Sequence, residues 1–183
     1  VSTGFTTSKI RPTTAIEVLE AVVAKLRNGV EQFNSETTCF ITATPEPSVE
    51  VSDNIFATVT FMGGPFDQPI MDGSGNQGVV QLASIVIAVW SRVELDQIER
   101  FSIGDTDPAL GLLSLMKDVL AALAGRNLDG GTYQAASSVL LLEPMYPSRS
   151  QPSQPRQVDS FAGFTIPFDC KFWWNLGTVS SLT

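Results

Sequence analysis

The chain has no histidine in 183 residues. That absence excludes Ser-His-Asp and Cys-His nucleophile pairs, His-ligated zinc or iron, and a histidine pH switch within this chain. Cysteine is almost as scarce. Cys39 and Cys170 are the only two, too few for a four-sulfur metal site or a secreted disulfide framework. Both stand in apolar, strand-like surroundings, so we expect buried free thiols acting as small hydrophobes in a reducing compartment. Charge is sparse too. Charged residues are 16% of the chain, and 11 Lys and Arg against 19 Asp and Glu give a net charge of −8. That balance argues against a basic surface built to grip nucleic acid through its phosphates and leaves room only for local basic loops. No apolar run approaches the ~20 residues of a membrane-spanning helix, and the first residues lack a signal-peptide core, so neither membrane insertion nor standard export is expected.

What is present suits a folded core, with 43% hydrophobic residues. We expect a single domain over 1–183 with a flexible N-terminus at 1–12. Thr14 followed three residues later by Glu17 forms a capping box. Ile16, Leu19, Val22, Val23, Leu26 and Val30 then recur at helical spacing, which predicts a helix over 14–28 stopped by Asn28-Gly29. Strand material follows at 38–42, 49–51 and 55–61, broken by Pro45 and Pro47, and reads as an antiparallel meander. In the third of these, Ile55, Ala57, Val59 and Phe61 share one face and Thr58 and Thr60 the other.

Residues 63–78 collapse into Gly, Pro, Asp, Ser, Asn and Gln, predicting a long projecting hairpin loop. The strongest strand is 79–90, apolar on both faces, which requires helices on one side and a second cover, such as a neighbouring subunit, on the other. Asp107 and Pro108 read as N-cap and first turn of a second helix, with Leu112, Leu113, Met116, Val119, Leu120 and Leu123 at helical spacing up to Gly125. Strand 138–142 follows, then a Pro-rich polar stretch over 147–160 that reads as a mobile extended loop. A strand closes the pattern, with Phe164, Ile166, Phe168, Cys170 and Phe172 alternating against Thr165, Pro167, Asp169 and Lys171. Pro167 belongs at an edge or bulge. The fold class is α+β, a mostly antiparallel sheet packed with two main helices and carrying long inter-strand loops.

No motif assigns chemistry. Gly73, Gly75 and Gly78 match G-x-G-x-x-G, but the pattern opens a strand, whereas a dinucleotide fingerprint opens a helix whose N-terminus holds the pyrophosphate. Asp53, Asp72, Glu94, Asp96, Glu99, Asp105 and Asp107 stand in turn, cap or surface contexts without the defined spacing of a carboxylate pair. We therefore expect no catalysis, no cofactor and no metal site. Trp173 and Trp174 point to opposite faces of their strand. They suit a partner-binding anchor, a carbohydrate platform or partial burial against the helices. Arg149 and Arg156 sit in the Pro-rich loop, solvated by default, with a DNA contact as the minority reading. Gly73, Gly75, Arg149, Arg156, Trp173 and Trp174 are the candidate interface residues.

The order of these elements resembles a tail terminator, the tail completion protein of long-tailed bacteriophages. The likeness runs from Thr13 to Asn175: the capped N-terminal helix, strands around Pro45-Glu46-Pro47, the long strand leading through Ser91-Arg92-Val93-Glu94, the second helix over 109–123, and the strands 138–146 and 161–174. It lies in element order and hydrophobic texture. It implies a structural virion protein of the head-tail junction, assembled in the host cytoplasm. Such a protein forms a homohexameric ring that caps the tail tube, meets the tube protein and the neck or connector proteins, and passes genomic DNA without sequence-specific binding or membrane contact. The loops 63–78 and 147–160 depart from a minimal member. Another head-tail joining, adaptor or tube ring protein, or a carbohydrate-binding module, are the alternatives.

Overall fold

The computed structural model describes residues 9–10, 13–47, 53–71, 77–92, 111–128, 138–139 and 141–175. The expected strand at 49–51, the cap at Asp107 and Pro108, and most of the expected flexible segment 1–12 lie outside them. Lys9–Ile10 (β1) pairs in parallel with Ser138–Val139 (β6).

Helix α1 spans Ala15–Gly29. Thr14 Oγ1 accepts from Glu17 N at 3.3 Å while Thr14 N donates to Glu17 Oε2 at 2.9 Å, the reciprocal capping box. Gly29 is the last helical residue, and its role is close approach: a Cβ there would lie 3.1 Å from Ala122 Cβ on the second helix. That helix, α2, spans Leu112–Leu123, with Gly111 extended at its N-cap and no side-chain cap bond. It therefore opens later than expected, where the apolar repeat itself begins. Gly125, at φ +75°, ends it as expected.

Among the described residues the main sheet has seven strands: β2 (Cys39–Thr42), β3 (Ile55–Gly63), β4 (Phe66–Met71), β5 (Gln77–Arg92), β7 (Leu141–Pro147), β8 (Gln154–Val158) and β9 (Phe161–Asn175). Its path is β2-β3-β5-β9-β7, with β4 on β5 and β8 on β9. All pairings are antiparallel except β2 with β3, which run parallel. The meander reading fails at that pair: a parallel pair cannot be joined by a tight hairpin, and the strands' twelve-residue separation in sequence is of the length a crossover needs.

Both expected long loops contain strands. Within 63–78, Gly63 (φ +76°) and Gly64 (φ +152°) turn a corner into β4, which pairs with the start of β5. Within 147–160, β8 pairs with β9 through a tight turn at Asp159 (φ 50°). Their prolines hid them, since Pro reads as a strand breaker, yet an edge strand tolerates Pro whose nitrogen faces outward. The ladder places both that way. Pro167 O accepts from Ser148 N at 2.8 Å, so the backbone groups of Pro167 face away from Val86, its partner on β5. Strict alternation then turns Val79 toward β9 and Phe164 toward β5. Pro69, opposite Val79, and Pro155, opposite Phe164, consequently aim their nitrogens off the sheet. Pro167 itself faces the break between β7 and β8, the local edge its ring requires.

Helices α1 and α2 cover one face. Leu26, Val22, Leu115, Val119 and Leu123 pack there on Ile85, Ile87, Val59, Phe168 and Phe172, all fully buried. The opposite face is also buried over much of its area: Phe56, Thr58, Thr60, Ala88 and Trp90 are at most 1% exposed, and Val86 is 6% exposed. The second cover of β5 thus comes from this chain at those positions, and no neighbouring subunit is needed there. Part of it is an aromatic corner in which Phe40, Phe56 and Phe161 contact in sequence, with centroids 6.0 and 5.7 Å apart. Trp90 Nε1 donates to Pro45 O at 3.0 Å in the same corner. Among the described residues no helix is long and apolar enough to cross a membrane.

Candidate functional site

The helix-free face is not filled throughout. Between the β3–β4 corner and β7 lies an open groove of about 730 Å³. Leu82 and Ser84 of β5 with Asp169 and Lys171 of β9 form its floor. These residues share a face because Ser84 stands opposite Asp169 and Leu82 opposite Lys171 in the ladder. Met62, Gly64 and Pro65 make one wall, and Glu143, Tyr146 and Arg149 belong to the other.

The lining combines apolar exposure with fixed charge. Met62, Leu82 and Tyr146 are 54%, 41% and 57% exposed. Lys171 Nζ lies 3.2 Å from Glu143 Oε1, an ion pair that neutralises both. Asp169 and Arg149 have no ion-pair partner among the described residues, and both are exposed. Ser84 Oγ is buried without a hydrogen-bond partner among the described residues, as are Thr58 Oγ1 and Trp173 Nε1. A groove of this kind can seat a protein side-chain stripe. Among the described residues no three His, Cys, Asp or Glu side chains come together as a metal site.

The candidate residues scatter. Gly73 and Gly75 lie outside the described residues; the pattern they open runs into a strand, β5, beginning at Gln77. Arg149 reaches the groove. Arg156 instead stands on β8 and pairs with Glu46 at 3.2 Å. Trp173 is only 9% exposed and lies over Gly78, where a Cβ would overlap the indole. Trp174 is half-buried on the helix-side core, 5.7 Å from Phe172. Its Nε1 donates to Gln81 Oε1 at 2.8 Å, and Gln81 Nε2 donates to Gly64 O at 3.1 Å. Neither indole is a free platform for a sugar ring, because β5 takes up both. Met62, Leu82 and Tyr146 carried no sequence signal, since nothing local separates an exposed Leu82 from the buried Val86 on the same face of β5.

The two thiols are chemically silent. Burial pushes Cys39 up to about 12, with the Arg27 guanidinium opposing part of the rise. Burial also pushes Cys170 up to about 12, helped by neighbouring Asp169. Both are free and buried. Arg27 contributes structurally, its Nε and Nη2 donating to Cys39 O at 3.0 and 2.6 Å.

No family model matches the chain. No curated protein matches it. Among solved structures it is similar to a chain from the virion of a native gene transfer agent particle, at 17% identity and a TM-score of 0.44, over 88% of this chain and 99% of that one.

Proposed function

We propose that this protein is a structural virion subunit, a tail terminator that forms a homohexameric ring, caps the tail tube and joins it to the head-neck complex. The observation that carries the reading is the order of the elements: capped α1, the β2–β3 strands, long β5, then α2, then β7–β9. This is the order on which the sequence resemblance rests. Charge distribution supports it. Residues 28–91 carry seven acidic residues and neither Lys nor Arg, and the chain's net charge is −8, a balance that suits a conduit for DNA without phosphate-gripping contacts.

In this role the chain binds copies of itself, the tube protein and the neck proteins, and performs no catalysis. Negative-stain electron microscopy of the purified protein, with light scattering for mass, tests the ring. Six-fold rings, and their location at the head-proximal tail end, support the proposal. A monomer at every concentration, absent from tail ends, overturns it. Rings located elsewhere in the tail or neck would favour the alternative of another joining or tube protein. A saturable hydrolase or transferase activity lost on a single Asp-to-Asn change would overturn the non-catalytic part.

A further inference from the structure

We infer that neighbouring copies join by seating the outer stripe of α2 from one copy in the groove on the helix-free face of the next, with Lys117 set against Asp169. The inference rests on the ring reading and names the contact that builds the ring.

The first support is where apolar surface is left over. Leu113, 68% exposed, is the most exposed large hydrophobic residue described, and it lies on the helix layer. Leu113, Lys117 and Ala121 are all exposed and spaced by four, so they line one stripe of α2, opposite the buried Leu112, Leu115, Val119 and Leu123. Met62, Leu82 and Tyr146 surround the groove on the other side of the sheet. Leftover apolar side chains on two opposite sides suit a contact between unlike surfaces.

Charge selects the pairing. The helix stripe presents the exposed Lys117, while the groove presents the exposed Asp169. Neither Lys117 nor Asp169 has an ion-pair partner among the described residues, whereas Lys171 and Glu143 neutralise each other. A free cation on the helix stripe therefore meets a free anion on the groove floor. Joining through the β4 or β8 edge is blunted, because the outward positions of Pro69 and Pro155 lack the N–H that an added strand would need. Since stripe and groove lie on opposite sides, the contact is head-to-tail, and repetition at a closing rotation yields a ring.

The test is a charge swap in the full chain, read by light scattering and electron microscopy. Lys117→Glu and Asp169→Lys are both surface changes, and unaltered thermal melts verify that each variant folds. Each alone should raise the protein concentration needed for assembly at least tenfold, and the double variant should recover it. In parallel, Leu113→Cys combined with Met62→Cys should give disulfide-linked oligomers on oxidation, with the native thiols buried and silent. If the unmodified protein forms rings but the swap fails to restore assembly and no cross-link forms, the contact lies elsewhere and the ring stands. If the unmodified protein forms no ring alone or in tails, the ring reading falls and this contact with it.

Discussion

Trp90 stands directly opposite Gly163 across the β5–β9 ladder, and a Cβ on Gly163 would fall 2.6 Å from Cε3 of the indole and would overlap Val89 O. At the far end of the same ladder and on the same face, Trp173 covers Gly78 in like manner. Each indole takes the space its glycine leaves, so these two glycines act as packing sites. Gly163→Ala should destabilise the protein by about 1–3 kcal/mol through overpacking against backbone and ring. A urea denaturation midpoint equal to that of the unmodified chain would refute this.

The two neighbouring tryptophans should respond in the reverse order of their burial. Trp173 Nε1 is buried without a partner among the described residues, so Trp173→Phe removes an unpaired donor while losing ring volume. Trp174→Phe instead strips the bond to Gln81 Oε1, and Gln81 is only 4% exposed. Leaving that oxygen unpaired costs about 1–3 kcal/mol, so Trp174→Phe should be the more destabilising in equilibrium unfolding. A charge placed at Trp173, only 9% exposed, should unfold the subunit outright, against the reading of this residue as a surface anchor.

The capping box offers a local test. Thr14→Ala removes the acceptor for Glu17 N, and the lost cap should lower stability by about 1 kcal/mol. A smaller effect is expected from Thr13→Val, because Thr13 Oγ1 donates to Glu17 Oε2 at 2.8 Å but its loss leaves the box itself intact. Thermal melts of the two variants should rank in that order.

Alkali should weaken the fold through the thiols. Both cysteines sit at about 12 in the folded chain against an ordinary 9.0. Because the folded value is the higher, the unfolded chain loses its protons first, so the stabilising contribution is complete below pH 9 and falls away as pH rises toward 12. The loss is on the order of a few kcal/mol per thiol. The slope of stability against pH above 9 should flatten in the Cys39→Ala, Cys170→Ala variant compared with the unmodified chain. At pH 8 a thiol reagent should label neither cysteine until denaturant is added.

Edge prolines should keep the subunit from pairing strand to strand. Pro69→Val with Pro155→Val restores outward N–H groups on β4 and β8, and should increase non-specific association in sedimentation. Unchanged sedimentation would show that the edges are guarded by something other than these rings.

Elements held together by contacts within a few residues were legible from sequence alone. Thr14 and Glu17 announced α1, Gly125 closed α2, and the alternation from Phe164 to Phe172 set β9 and the two groups of residues on its faces. Cap chemistry and side-chain period act over one or two turns, so their signal survives in the order of residues. Tertiary structure decided the rest. The parallel sense of β2, the strand character of β4 and β8, and the burial of Thr58, Thr60 and Trp173 depend on which distant segment lies alongside. The groove is the same kind of outcome: Leu82 and Val86 are apolar residues on one face of one strand, and only what distant segments lay over that face leaves one in solvent and buries the other.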